Sequence, residues 1–433
     1  MKTALARAAY TRALRLALPL VILRSAWRAR REPAYGTHWA ERLGWGGDGT
    51  AGRLWLHAVS LGETRAAEPL IEQLRLQQPG LRLLLTHGTA TGRAAGAALL
   101  REGDAQAWLP LDTPGAVRRF LRARRPALGV LMETETWPNL LFEARAAGLP
   151  MVLANARLSA RSHARGQRFA ALLHPAVAGL DLVLAQTEAD AERLRDSGAP
   201  AVQVMGNLKF DVAVPAELLD RGRQWRQGLG RSVVLAASTR EGEEAPLLQA
   251  WTALAAPRPL LLLVPRHPQR FDAVAALVAA AGLRLQRRSA WADAPPADAT
   301  AADVWLGDSV GEMPLYYACA DVALLGGSYA PLGGQNLIEA AACGCPLLMG
   351  PHTFNFAQAA EMAVAAGAAE RWPDIGAAVI RSVAVCDGAE RLTMGRRALA
   401  FASQHRGSAA RMAASILALL SRAAPRVSNT HRS

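Results

Sequence analysis

The sequence predicts an α/β protein built on two doubly wound parallel sheets. From Arg53 onward, short apolar runs alternate with amphipathic segments, the rhythm of strands and crossover helices. The rhythm pauses once, in the stretch "MGNLKFDVAVPAELL", and then restarts. The chain is 433 residues long, enough for two or three domains with separate cores.

In the first half, the runs at 54–57, 81–86, 128–132, 151–155, 181–185 and 202–205 read as buried strands. Each is followed by a turn and a helical pattern such as "RAAEPLIEQLRLQQPG" or "EADAERLRDSGAP". In the second half, the runs at 233–237, 260–264, 283–287, 304–306, 322–325 and 346–349 repeat the scheme. "RRSAWADAPPADATAAD", rich in Pro and Asp, reads as a surface loop. The expected organisation is a basic N-terminal segment (1–32), a first Rossmann-like domain (33–208) and a second (209–433), with the boundary near 206–215. The final helices have the option of packing back on the first domain. Two such domains facing each other make a cleft, with ligands at the carboxyl ends of the strands.

With 51% hydrophobic and 20% charged residues the chain is globular rather than disordered. Its 49 Lys and Arg against 36 Asp and Glu leave a net charge of +13, which favours anionic partners. Part of this is compositional, because nearly every base is Arg. Lys2 and Lys209 are the only lysines, which singles out Lys209. Cys319, Cys343, Cys345 and Cys386 form no CxxC pair and suggest neither zinc nor a disulfide framework. A reducing, cytoplasmic setting is the simpler expectation.

The first 31 residues contain no acid and carry Lys2, Arg7, Arg12, Arg15, Arg24, Arg28, Arg30 and Arg31. The uncharged stretch 16–23 is far short of the ~20 apolar residues that span a bilayer. Arg-rich sequence follows where a signal peptide would have a small-residue cleavage site. A basic helix with an apolar patch of Leu14, Leu18 and Val21, kinked at Pro19, suits an interfacial anchor on an anionic leaflet. An ordinary first helix packed on the domain is the alternative.

Polar and glycine residues collect at strand ends. In "LWLHAVSLGETRAAEPLI", Glu63 follows a turn at the start of a helix, and Ser60-x-x-Glu63 has capping-box spacing. Glu63 is therefore either a cap or an exposed carboxylate available for chemistry. After the run at 233–237, Ser238 and Thr239 are expected at a helix N-terminus, a phosphate-type site, with Glu241 completing a second capping-box spacing. Arg266 and His267 follow the run at 260–264, and Arg can bind a phosphate through two parallel hydrogen bonds. The densest segment is "GDSVGEMPLYYACADVALLGGSYAPLGGQNLIEAAACGCPLLMGPHTFNF". There Gly327 and Ser328 follow a strand, while Asn336 and Glu339 share the start of a helix. Glu339 could accept hydrogen bonds from ribose hydroxyls; alternatively Asn336 is a cap and Glu339 its dipole partner. No GxGxxG sits between strand and helix, and GxxxxGK[ST] and DxD are absent. A nicotinamide cofactor and P-loop chemistry are not expected.

Taken in order, "HAVSLGE", "METETWPNLL", "NARLS", "GNLKFD", "STREGEE", "VPRHPQRF", "GDSVGEM" and "GGQNLIEAAACGCPLLMGPHTFNF" resemble the 3-deoxy-D-manno-octulosonic acid (Kdo) transferases of Gram-negative lipopolysaccharide core biosynthesis. The resemblance covers nearly the whole chain. It implies a GT-B glycosyltransferase fold, an inverting transfer without metal or other cofactor, CMP-Kdo as donor and a lipid A precursor as acceptor. It further implies work at the cytoplasmic face of the inner membrane, on an anionic surface, with no nucleic-acid partner.

Carried onto this chain, the resemblance makes Glu63 the general base and Gly62 the glycine beside the donor sugar. Ser238 and Thr239 become the phosphate loop, Arg266 a donor-binding base, and Met313 the residue whose backbone meets cytosine. Lys209, Gly327, Ser328, Asn336 and Glu339 fall on donor-site positions, with Glu339 on the ribose. Glu133, Glu135 and Trp137 belong to an acceptor-side motif. Gln335 stands where many relatives have His, and Leu61 where Val is common. Glu63 is expected to turn out into the cleft rather than back to the Ser60 N–H. The competing functions are another GT-B enzyme that uses a UDP-sugar, a transferase or an epimerase, and a non-enzymatic basic protein that binds membrane or nucleic acid.

Overall fold

The computed structural model describes residues 1–211 and 214–423. Val212 and Ala213, inside the sequence-derived boundary, and residues 424–433, at the end of the second predicted domain, lie outside the described residues. The chain forms two compact units. One runs to Asp211 and resumes at Arg406; the other takes the chain between. Lys209 therefore belongs to the first unit, not to the domain that starts with it in the sequence reading.

The first unit holds β1 (Leu54–His57), β2 (Leu83–His87), β3 (Ala105–Trp108), β4 (Leu128–Met132), β5 (Met151–Ala156), β6 (Leu182–Ala185) and β7 (Val202–Val204). They form one parallel sheet of order β3-β2-β1-β4-β5-β6-β7. The central strands are buried along their whole length, which is why they read as unbroken apolar runs. One face packs Trp55, Phe120, Leu131, Leu153 and Val183. The other packs Leu56, Leu85, Val130 and Val152 under the Leu61–Gln77 helix. The Ser408–Ala423 helix adds Met412, Ala413 and Ile416 to that second face. Asp211 fastens its start, accepting the Gly407 and Ala409 N–H groups at 2.5 and 2.6 Å.

The second unit holds β8 (Val233–Thr239), β9 (Leu260–Pro265), β10 (Leu285–Arg287), β11 (Val304–Leu306), β12 (Val322–Leu325), β13 (Leu347–Met349) and β14 (Ala369–Arg371). Its parallel order is β10-β11-β9-β8-β12-β13-β14. The Pro- and Asp-rich stretch is more than a surface loop. It supplies Trp291, which packs edge-on against Trp225 and Trp305 with ring centroids 5.6 and 4.8 Å away.

Each order reverses once, between β1 and β4 in the first sheet and between β8 and β12 in the second. The loops leaving the carboxyl ends of those strand pairs diverge to opposite faces and open a crevice, where ligands bind in open α/β sheets. They are the segments that begin at Ala58, Glu133, Arg240 and Gly326.

The N-terminal helix, Lys2–Ala29, is continuous through Pro19. Its first half docks on the first unit through Arg7, Tyr10 and Thr11. Leu14 and Leu18, expected to form the outward apolar patch, are half-buried against the unit instead. Leu5 is exposed near the helix start, and Leu16, Leu20, Val21, Ile22, Leu23 and Trp27 are exposed further along. Leu16, Leu20, Leu23 and Trp27 recur at spacings of four, three and four, which puts them on one stripe. No helix among the described residues is long and apolar enough to cross a membrane.

Candidate active site

In the first unit, the switch point gathers three carboxylates. Glu63 lies in the first turn of the Leu61–Gln77 helix, whose N-cap Ser60 accepts the Glu63 N–H at a long 3.4 Å. The Glu63 side chain turns back on its own loop: one oxygen accepts the Val59 N–H at 2.8 Å and the other the Ser60 hydroxyl at 3.2 Å. The expectation that it points away from this loop is thus corrected. The physical reason is the orphan N–H groups at a helix start, which draw the nearest carboxylate. The partner is the Val59 N–H, one residue earlier than the Ser60 N–H the spacing suggests.

Burial pushes the Glu63 carboxyl above the ordinary range; the Glu133 charge adds to this, while the Val59 N–H, the Ser60 hydroxyl and Arg157 oppose it. Glu133, at the end of β4, is 7% exposed and adopts φ +57°, a conformation that side chains other than glycine seldom hold. It pairs with Arg157 Nε at 3.1 Å. Burial pushes Glu135 up to about 7, helped by the charges of Glu63 and Glu133 and offset by the Trp137 indole. Of the two acids, Glu133 is paired with Arg157, and Glu135 is raised chiefly by burial and then by the charges of Glu63 and Glu133. Gly62 is exposed, and a Cβ added there would meet only Ser60 Oγ at 3.9 Å. Among the described residues nothing else lies within 4 Å of such a Cβ, so the space at Gly62, next to Glu63 in the chain, is open.

In the second unit, Ser238 and Thr239 are the last residues of β8, not the first of a helix. The next helix, Glu244–Thr252, starts five residues later, and Ser238 takes φ +56°. The expected helix-start site at Ser238 is therefore corrected: Ser-x-x-Glu has the right spacing but the wrong backbone. Ser238 Oγ faces Met313 Sδ at 3.9 Å, and Thr239 Oγ1 donates to buried Glu244 at 2.9 Å. Met313 opens the Met313–Cys319 helix, where first-turn N–H groups have no helical partner.

Around these strand ends the charge is positive. Partial burial and the Arg240, Arg266 and Arg270 charges, in that order, hold the His267 imidazole below its usual range. Arg270 is committed to Glu244 at 2.6 Å, whereas Arg266 is exposed and near enough to Glu339 to offset part of the rise that burial causes there. Gly327 (φ +69°) lies against Arg240, since an added Cβ would stand 3.6 Å from Arg240 Cγ and 3.0 Å from Gln335 Nε2. Asn336 caps its helix, accepting the Ile338 N–H at 3.1 Å. Ser328 is fully buried; its hydroxyl donates to the Leu325 carbonyl and accepts the Gly350 N–H at 2.8 Å. Its side chain is a brace between the ends of β12 and β13. Lys209, in a short 3-10 turn (Leu208–Phe210), is placed by the first unit.

The structure thus brings together Glu63, Gly62, Glu133, Glu135 and Trp137 in one unit, and Ser238, Met313, Gly327, Arg266, His267 and Glu339 in the other. Sequence reading missed Arg157, Glu243 and the side chain of Arg240. Glu243 is 2% exposed and accepts four backbone N–H groups: Arg240 at 2.9 Å, Gly327 at 2.7 Å, Tyr329 at 3.1 Å and Ala330 at 3.3 Å. Only its place in "STREGEE" pointed to it.

Residues 37–212 match the family model described as 3-Deoxy-D-manno-octulosonic-acid transferase (kdotransferase). A 3-deoxy-D-manno-octulosonic acid transferase of Bordetella pertussis is 50% identical over 94% of this chain and 97% of its own. One from Haemophilus influenzae is 37% identical over 82% of this chain and 84% of its own. Among solved structures, Anabaena Alr3699/HepE in complex with UDP superposes with a TM-score of 0.54 at 15% identity, covering 85% of this chain and all of that one. That likeness shows the fold alone, the two-domain GT-B arrangement of Rossmann-like units. The chain belongs to the 3-deoxy-D-manno-octulosonic acid transferase family and is a glycosyltransferase.

Proposed function

We propose that this enzyme transfers Kdo from CMP-Kdo to a lipid A precursor, with inversion and without a metal ion, at the cytoplasmic face of the inner membrane. The observation that carries the reading is the Glu63 carboxylate: partly buried, raised in proton affinity by burial and by Glu133, and flanked by open space at Gly62. Glu63 takes the proton from the attacking acceptor hydroxyl as the new bond forms at the anomeric carbon of Kdo, and CMP leaves from the opposite side. The oxygen that meets Ser60 at 3.2 Å is the one suited to this role, since that contact is long and a carboxylate oxygen keeps a second lone pair. The Val59 N–H meanwhile holds the other oxygen in place.

In the second unit, Arg266 and Arg240 supply positive charge for the leaving phosphate, and the backbone at Met313 meets the base. Glu339 is placed for the ribose. In this reading Glu135 and Trp137 receive the acceptor sugar, and the exposed stripe Leu16, Leu20, Leu23 and Trp27, set among arginines, meets the lipid surface.

Mass spectrometry of a lipid A precursor incubated with the protein and a CMP-Kdo source tests the reading. The expected product is heavier by one or more Kdo units. An unchanged precursor, together with thermal stabilisation by UDP and none by CMP, would overturn it in favour of a UDP-sugar enzyme.

A further inference from the structure

The carboxylate loop at residues 133–137 is not held by its own strand alone. It runs into the Pro138–Ala146 helix, whose N-terminus has no side-chain cap of its own; the N-cap is Trp137. The cap comes from elsewhere. Asp112, 6% exposed, accepts the Asn139 N–H at 3.1 Å and the Leu140 N–H at 2.7 Å. Its third partner is the hydroxyl of Tyr10, at 2.9 Å, on the N-terminal helix.

Asn139, fully buried, completes the joint. Its Nδ2 donates to the Asp112 carbonyl at 2.8 Å and lies 3.1 Å from Thr11 Oγ1. Its Oδ1 accepts from Arg7 Nε at 3.0 Å and from Thr11 Oγ1 at 3.2 Å. Arg7 also pairs with Glu143 at 2.5 Å and lies over the Phe142 ring, both on the same helix. A buried hub that satisfies every member fixes geometry, because each lost partner strands another polar group away from water.

We propose that Asp112 and Asn139 are positioning residues: they lock the N-terminal helix onto the start of the Pro138–Ala146 helix and so set the loop that carries Glu133, Glu135 and Trp137. One rigid helix then carries both the exposed apolar stripe and the contacts that place this loop. The acceptor-side role of the loop rests on the function proposed above; the mechanical role does not. Acceptor capture therefore depends on the docked N-terminal helix, and donor capture does not.

The test uses the full-length protein with Tyr10→Phe, Thr11→Val and Asn139→Ala, in two measurements. Hydrogen exchange of peptides covering residues 133–142 reads the loop without any turnover. Steady-state kinetics with CMP-Kdo and lipid A precursor separate the two KM values. Tyr10→Phe removes one hydrogen bond and Thr11→Val the two that Thr11 Oγ1 makes with Asn139, so exchange should quicken and the acceptor KM rise by about fivefold or more. The donor KM should stay within about twofold, and Thr11→Ser should restore wild-type values. Asn139→Ala should exceed both, and if it does not fold, the two milder variants decide. In Tyr10→Phe, Asp112 loses a partner that favours its charged form, so the acceptor KM should gain a pH dependence near neutrality. Wild-type exchange at 133–142 in both mild variants would overturn the proposal, as would equal rises in both KM values. Absence of transfer by the wild-type protein would sink the proposed function and leave the exchange result to decide the joint.

Discussion

Glu243 and Gly327 meet through a 2.7 Å hydrogen bond in which a buried carboxylate accepts a backbone N–H from the far side of the second switch point. The same carboxylate accepts the Arg240 N–H, so one side chain ties the loop after β8 to the loop after β12. It holds Arg240 beside Gly327, where a bound phosphate would need both. Glu243→Ala strands four backbone N–H groups and should cost on the order of 3 kcal/mol of stability in urea unfolding. Glu243→Gln keeps one accepting oxygen and should fall between. Thermal stabilisation by CMP should drop in both. Wild-type CMP response in Glu243→Ala would show that the loops hold their places without it.

Glu63→Gln leaves a side chain of the same shape with one oxygen for the Val59 N–H. The fold should be unchanged by circular dichroism and melting. Turnover should fall by ~10²–10⁴, the usual worth of a general base. A variant with near wild-type turnover would remove Glu63 from the proton transfer.

Much of this arrangement is legible in the sequence, and the exceptions have physical causes. The central strands read correctly because both faces are buried. The strands that went unread, β3 and β14, are edges: "AQAW" is only half buried and "AER" is three residues long. Capping-box spacing occurs at Ser60 and at Ser238, and only the first opens a helix. The difference is the left-handed φ of Ser238, which local sequence does not encode. Asp112 and Glu243 escaped because they accept backbone N–H groups brought in by the fold, from Asn139, 27 residues away, and Gly327, 84 away; Asn139 escaped because its side chain meets Arg7 and Thr11, 132 and 128 residues earlier. Leu14 and Leu18 were placed outward because the helix periodicity gives a stripe without saying which stripe meets the protein.

Gly62 offers a test of the space beside Glu63. Because an added Cβ meets only Ser60 Oγ at 3.9 Å, Gly62→Leu should fold, and helix propensity should make it about 0.5 kcal/mol more stable. If the donor sugar sits there, transfer should fall at least about tenfold, since an inserted side chain overpacks a filled site. Wild-type transfer by a stably folded Gly62→Leu would move the sugar elsewhere.

Leu20 and Leu23 are 69% and 67% exposed, so Leu20→Glu with Leu23→Glu should leave the fold intact. The wild-type protein should sediment with vesicles that contain anionic phospholipid, and raised salt should weaken this. The double variant should stay in the supernatant. Co-sedimentation equal to wild type would place the membrane contact off this helix.

Acid stability should reveal the Glu135 environment. His57 and His87 are buried at the ends of β1 and β2 and held down to about 3 and about 4, chiefly by burial. Each binds a proton more readily when unfolded, so each lowers stability as pH falls below about 6.5. Glu135 and Asp112 are raised to about 7 and about 6, so the folded state binds their protons first. As pH falls from 7 towards 4.5 they add stability and oppose the histidines. Wild-type stability should therefore change little between pH 7 and 5, and fall below about 4.5, where unfolded carboxyls also protonate. Glu135→Gln removes one opposing group. Its urea stability should drop by on the order of 2 kcal/mol more than wild type between pH 7 and 5. Parallel pH profiles for the two proteins would mean that Glu135 is solvated like an ordinary surface acid, and that the loop at 133–137 does not hold it against Glu63 and Glu133.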